Sequence, residues 1–130
     1  MREYIDKNVQ RIYHILQQAV TIRRRIDGLS KEGFLADVDK TEATLHGLTV
    51  IGEAVRAMDD EFKATHPDIP WRSIVGMRNF IVHEYEEIDY DLVWQAVSVD
   101  LPAMTPRLVE IYKAFDFPKD FIPPPSPTEE

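Results

Sequence analysis

The sequence predicts an all-α protein, an antiparallel bundle of four to five helices, and three observations carry that prediction. Apolar residues recur at steps of three and four, strand-like alternation appears nowhere at length, and prolines or glycines interrupt the apolar stripes where a bundle needs turns. The chain has 130 residues, 44% of them hydrophobic, which fills one core and makes one ordinary domain.

Ile5, Val9, Ile12, Leu16, Ala19, Ile22 and Ile26 form one stripe, so a first helix is expected over residues 2–26. Asp27-Gly28 ends it, and residues 29–34 read as a connection. A second helix is expected over residues 35–64, with Leu45, Leu48, Ile51, Val55, Met58 and Phe62 on its stripe and Gly47 and Gly52 permitting close helix approach. Thr65-His66-Pro67-Asp68-Ile69-Pro70 is a strong break, because proline disfavours helical geometry in the residue before it while Pro70 suits the first turn of a third helix.

That third helix holds the chain's most distinctive run, Arg78-Asn79-Phe80-Ile81-Val82-His83-Glu84-Tyr85. An acidic turn follows at residues 86–90, then a fourth helical stretch over residues 91–115 that Pro102 and Pro106 should kink or split. Residues 117–130 contain Pro118, Pro123, Pro124, Pro125 and Pro127 and read as an extended tail, so the bundle domain is assigned to residues 1–116.

Composition removes several function classes. With no cysteine there is no disulfide, thiolate nucleophile or cysteine-held metal, and the chain suits a reducing compartment, with cytoplasm the expected location. Met1-Arg2-Glu3-Tyr4-Ile5-Asp6-Lys7 places charges where a signal peptide needs an apolar block, and no apolar run reaches the length of a membrane span. The net charge of −8 argues against broad nonspecific binding of nucleic acid but leaves room for a small basic site. Arg72 and Arg78 flank such a site, whereas Arg23-Arg24-Arg25 reads as favourable charge at the end of the first helix.

In the 78–85 run, arginine supplies a permanent cation with a planar fork of donors suited to phosphate, and histidine is the side chain that exchanges a proton near neutral pH. Each residue also has a purely structural reading. His83 can be a core histidine bonded to a carbonyl, Arg78 can pair with a second-helix carboxylate such as Glu53, Asn79 can fix the His83 ring, and Tyr85 can be a half-buried aromatic. On a regular helix Asn79 and His83 share a face and Arg78 and Tyr85 nearly superimpose, while Arg78 and His83 diverge by roughly 140°. Either the backbone departs from regular geometry, or two copies of the chain share one site across a twofold axis, and the second is the expectation.

Other sites fail on residue type. His83-Glu84 begins a helical zinc motif, but position 87 is glutamate where the second histidine belongs, and no glycine-rich phosphate loop is present. Glu84, Glu86, Glu87, Asp89 and Asp91 have the chemistry for a divalent cation, yet read better as a solvated turn with a helix cap at Asp89 or Asp91. His14, His46 and His66 are scattered and receive no role.

Arg78, four residues, His83, one residue, Tyr85 resembles the R-x4-6-H motif with trailing tyrosine of HEPN-domain ribonucleases, in the arrangement of HepT-like toxins. Residues 67–79, Ile51-Gly52-Glu53-Ala54-Val55, and Val93-Trp94 through Asp100-Leu101-Pro102 are similar to the same family. The resemblance implies a helical homodimer that acts as a metal-independent endoribonuclease on tRNA or mRNA, needs no cofactor, and pairs with a small nucleotidyltransferase antitoxin. It implies catalytic roles for Arg78 and His83, with Asn79 in the polar position that the motif allows after its arginine. The RNA 2'-hydroxyl would attack phosphorus, leaving a cyclic phosphate and a free 5'-hydroxyl. It also marks Tyr85 as the tyrosine to which the partner attaches AMP, with simple complex formation the other mode of neutralisation. A non-catalytic helical module that binds a nucleotide or a partner is the competing expectation, supported by the acidic charge and sparse basic surface.

Overall fold

The computed structural model describes residues 6–116 and 125–127. Among these residues every regular element is helical: α1 (Lys7–Ile26), α2 (Lys31–Leu35), α3 (Val38–Ala57), α4 (Asp60–Ala64), α5 (Trp71–His83), α6 (Tyr90–Gln95) and α7 (Leu101–Lys113). A 3-10 turn, Tyr85–Glu87, follows α5, and a π turn, Ala96–Asp100, joins α6 to α7.

Helix α1 buries Val9, Ile12, Leu16, Ala19 and Ile22 from the expected stripe, together with Ile15 and Val20. It starts later than the stripe alone implied, because the Asp6 carboxylate accepts the Asn8 N–H at 2.6 Å and caps the helix before Lys7. Expected helical residues 2–5 lie outside the described residues. After Ile26 the chain turns through Gly28 at φ 77°, a conformation that glycine adopts without the penalty of a Cβ.

The stretch expected as a connection contains α2. Ser30 caps it by accepting the Gly33 N–H at 3.0 Å, and Phe34 is fully buried with its ring centroid 5.2 Å from that of Trp94.

The second expected helix is not one piece. It breaks at Met58 and Asp59, both extended, into α3 and α4. The cause lies on α1: Asn8 Oδ1 accepts the Asp59 N–H at 3.0 Å, Asn8 Nδ2 donates to Asp59 Oδ2 at 3.3 Å, and Lys7 Nζ sits 2.9 Å from Asp59 Oδ1. A side-chain amide thus takes the backbone donor that a continuous helix would have used.

Helix α5 begins after Pro70 as expected. Trp71 anchors its start by donating from Nε1 to the carbonyls of Lys63, at 3.0 Å, and His66, at 2.9 Å.

The fourth stretch runs without a gap through α6, the π turn and α7. Pro106 sits inside α7 and does not split it. Pro102 follows the π turn directly, in which the Leu101 N–H bonds to Ala96 O. A proline ring collides with the carbonyl four residues earlier in a regular helix, and a wider turn removes that conflict.

The core lies around α3, which packs on α1 and α5, while α1 also packs on α7. Asn8 at the start of α1 meets Asp59 just past the end of α3, so these two helices run antiparallel. Gly52 of α3 meets Ile74 and Arg78 of α5, bringing those helices into close contact. No described helix is long and apolar enough to cross a membrane. Most of the Pro-rich tail lies outside the described residues; within residues 125–127, Ser126 is buried.

Candidate active site

Arg78 sits where α5 crosses α3. A Cβ placed on Gly52 would lie 2.2 Å from Arg78 Cβ and 2.9 Å from its Cγ, closer than real atoms approach, so only glycine lets the arginine stem lie there. The side chain is 18% exposed, and its Nε stands 2.6 Å from Glu53 Oε1. The N–H is not aligned for a hydrogen bond to that oxygen, so the contact is a close charge pair. The same oxygen accepts from Arg56 NH1 at 3.1 Å. Arg78 NH1 donates to Asn79 Oδ1 at 2.9 Å.

The pairing of Arg78 with Glu53 read as possible from the sequence is therefore present. Asn79 orients the guanidinium in place of the His83 ring. Sequence reading missed Arg56, whose available signal was its three-residue spacing from Glu53 on one helix face.

His83 is the last residue of α5 and is exposed, so it is not a core histidine. Tyr85 departs from the expected superposition on Arg78, because the helix ends first: Glu84 has φ −117° and ψ 31°, and Tyr85 opens the 3-10 turn. The tyrosine is 60% exposed, not half-buried. Val82, His83, Glu84, Tyr85, Glu86 and Glu87 line an open depression of about 310 Å³.

Because α5 is α-helical from Trp71 to His83, the irregular backbone that would aim Arg78 and His83 at one point is absent. Their directions differ by about 140°, with the guanidinium against α3 and the imidazole toward solvent. Arg72, Gly76, Asn79 and His83, spaced four, three and four, form an exposed stripe of α5. A Cβ at Gly76 would meet nothing within 4 Å, which leaves the middle of that stripe flat.

The acidic segment has structural duties. Asp89 caps α6 by accepting the Asp91 and Leu92 N–H groups at 3.0 and 3.4 Å, and Asp91 pairs with Lys31 Nζ at 2.9 Å. That hydrogen bond and charge hold the Lys31 pKa above its ordinary value. His66 packs against Phe62 with the rings tilted and their centroids 4.8 Å apart, and the neighbouring Asp68 takes the Arg107 guanidinium at 2.5 Å, which holds the Asp68 carboxyl below the usual range. Arg23, Arg24 and Arg25 occupy the last turn of α1.

An all-α bundle with one arginine–histidine pair on its third long helix is a small helical domain with the side chains for phosphodiester chemistry. The sequence profile described as "Ribonuclease HepT-like" matches residues 3–111, and the chain belongs to that family. Ribonuclease activity is the class of function that this membership carries. A Caldanaerobacter subterraneus subsp. tengcongensis protein with an RNase designation is 36% identical over 98 residues, 75% of this chain and 88% of the relative. One from Methanocaldococcus jannaschii with the same designation is 33% identical over 91 residues, covering 70% and 84%. A Thermococcus cleftensis protein designated ribonuclease HepT is 34% identical over 82 residues, covering 63% and 74%. No solved structure matches the chain.

Proposed function

We propose that this chain is the toxin of a cytoplasmic toxin–antitoxin pair, a homodimeric endoribonuclease that cuts RNA by 2'-hydroxyl attack without a metal. The observation that carries the reading is the regular α5, which turns Arg78 inward and His83 outward. One protomer does not aim both at a single phosphate, and a second copy seated on the α5 stripe supplies the missing half of each site. The exposed Arg72, Gly76, Asn79 and Val82 on the same helix support a partner there.

At that seam an imidazole from His83 removes the 2'-hydroxyl proton as the oxygen attacks phosphorus. The 5'-oxygen leaves and takes a proton from the second copy's imidazole, giving a 2',3'-cyclic phosphate and a 5'-hydroxyl. Arg78 stabilises the charge that builds on the non-bridging oxygens, and Asn79 keeps its guanidinium oriented. These side chains supply the cation and both proton transfers, so no step calls for a metal.

The partner in this reading is a nucleotidyltransferase antitoxin that places AMP on Tyr85. The 60% exposure of Tyr85 supports an acceptor role. With Tyr85 on the turn after α5, the added phosphate would stand beside His83 and among Glu84, Glu86 and Glu87, where it strengthens repulsion of RNA.

The test is cleavage of a tRNA and mRNA pool in excess EDTA by wild type, Arg78→Ala and His83→Ala. Each variant should lose about 10²-fold or more in kcat, and wild-type products should carry cyclic-phosphate ends. Mixing the two inactive variants so that they exchange subunits should restore only a small part of the activity, because the hybrid dimer then holds one arginine but just one of the two imidazoles that the proton transfers use. Cleavage that dies on chelation would overturn the metal-independent mechanism, and a dimeric unmodified wild type that cuts nothing would turn the assignment to the non-catalytic module.

A further inference from the structure

We propose that Arg56, Glu53 and Arg78 form one phosphate-binding unit in which Glu53 is a positioning residue and Arg56 holds the RNA phosphate next to the one that reacts. This inference rests on the ribonuclease reading and names how that site grips its substrate.

A single oxygen, Glu53 Oε1, lies 2.6 Å from Arg78 Nε and 3.1 Å from Arg56 NH1, so two guanidinium groups from different helices meet on one atom. Glu53 neutralises only one of the two positive charges. The unit keeps a net charge of one positive unit in a chain that carries −8 overall.

The donors left over matter as much as the charge. Glu53 occupies the Nε edge of Arg78, and Asn79 occupies one hydrogen of NH1, so the terminal NH2 group remains for a ligand. Arg56 spends one donor on Glu53 and is about half exposed, at 49% of its side chain. Two planar cations meeting on one carboxylate oxygen, beside the crossing where Gly52 brings α3 and α5 into close contact, suit two phosphates of a single strand.

The roles separate in kinetics. Arg56 touches substrate away from the reacting bond, so it affects binding. Glu53 acts through Arg78, so it affects the chemical step, and its negative charge opposes binding. In a tRNA cleavage assay Arg56→Ala should raise KM about tenfold and leave kcat within about twofold, the scale of one charged hydrogen bond. Its log KM against log salt slope should become shallower by about 0.7, the loss of one single-strand phosphate contact. Glu53→Gln should lower kcat at least about tenfold through a misaimed guanidinium, while KM stays level or falls.

A 2'-O-methyl oligonucleotide, which cannot be cleaved, gives the same comparison without turnover. Wild type should bind it with the steeper salt slope and Arg56→Ala with the shallower one. Active wild type with Arg56→Ala and Glu53→Gln indistinguishable from it in kcat and KM overturns the unit and leaves the ribonuclease reading standing. The opposite result, no cleavage but Arg56-dependent binding of the oligonucleotide, removes the ribonuclease reading and keeps the phosphate unit. A Glu53→Gln variant whose KM rises together with a lowered Tm makes Glu53 a structural residue and overturns its positioning role.

Discussion

Gly52 decides where Arg78 goes. Alanine in a helix interior ordinarily stabilises by about 0.5–1 kcal/mol relative to glycine. At position 52 the sign inverts, because the new Cβ would sit 2.2 Å from Arg78 Cβ, with α3 and α5 forced apart. Gly52→Ala should destabilise by about 1–3 kcal/mol in urea unfolding and should cost activity beyond the loss of folded protein. The candidate residues were legible in the sequence because Arg78, Asn79 and His83 interrupt an otherwise apolar helix. Their partners were not all legible, since periodicity places a residue on a face and says nothing of side-chain torsions. Glu53 could be named from its helix, whereas the turn of Asn79 toward Arg78 depends on a rotamer that spacing does not encode.

Elements were most legible where an apolar stripe was long. The stripes of α1 and α3 marked their core faces correctly, and Pro70 marked the start of α5. The failures have two physical origins. The break at Asp59 is imposed by Asn8, fifty-one residues away, and no local pattern announces it. Asn8 is only 5% exposed, so Asn8→Ala leaves the part-buried Asp59 N–H without its partner; the variant should lose about 1 kcal/mol in denaturant unfolding, and the α3–α4 corner should lose hydrogen-exchange protection first. The π turn, by contrast, left a readable trace. Val93, Val97 and Leu101 are buried at two successive steps of four, each a drift of about 40° on a regular helix, and only a wider turn keeps them all on the core side.

At the scale of the whole molecule, charge and pH meet in the carboxylates that tie elements together. Hydrogen bonds from Lys7 and then Asn8 hold the Asp59 carboxyl below its ordinary pKa, and Arg107 does the same for Asp68. A carboxylate with a depressed native pKa binds fewer protons folded than unfolded between its two values. Its contribution is complete above the unfolded value, about 3.9, and disappears as pH falls through the lower native one. Tm should therefore hold near neutral pH and fall on acidification below about pH 4, less steeply in Asp59→Asn, whose stability no longer depends on that proton. The π turn has a last consequence, for chain length. It accommodates one residue more than a regular helix needs, so deleting the exposed Val99 should leave the faces of α6 and α7 in place, provided that Pro102 is also replaced. Bundles of this shape can thus differ in length by one residue in the fourth helix without any shift of α5, and proline at position 102 belongs with the longer version.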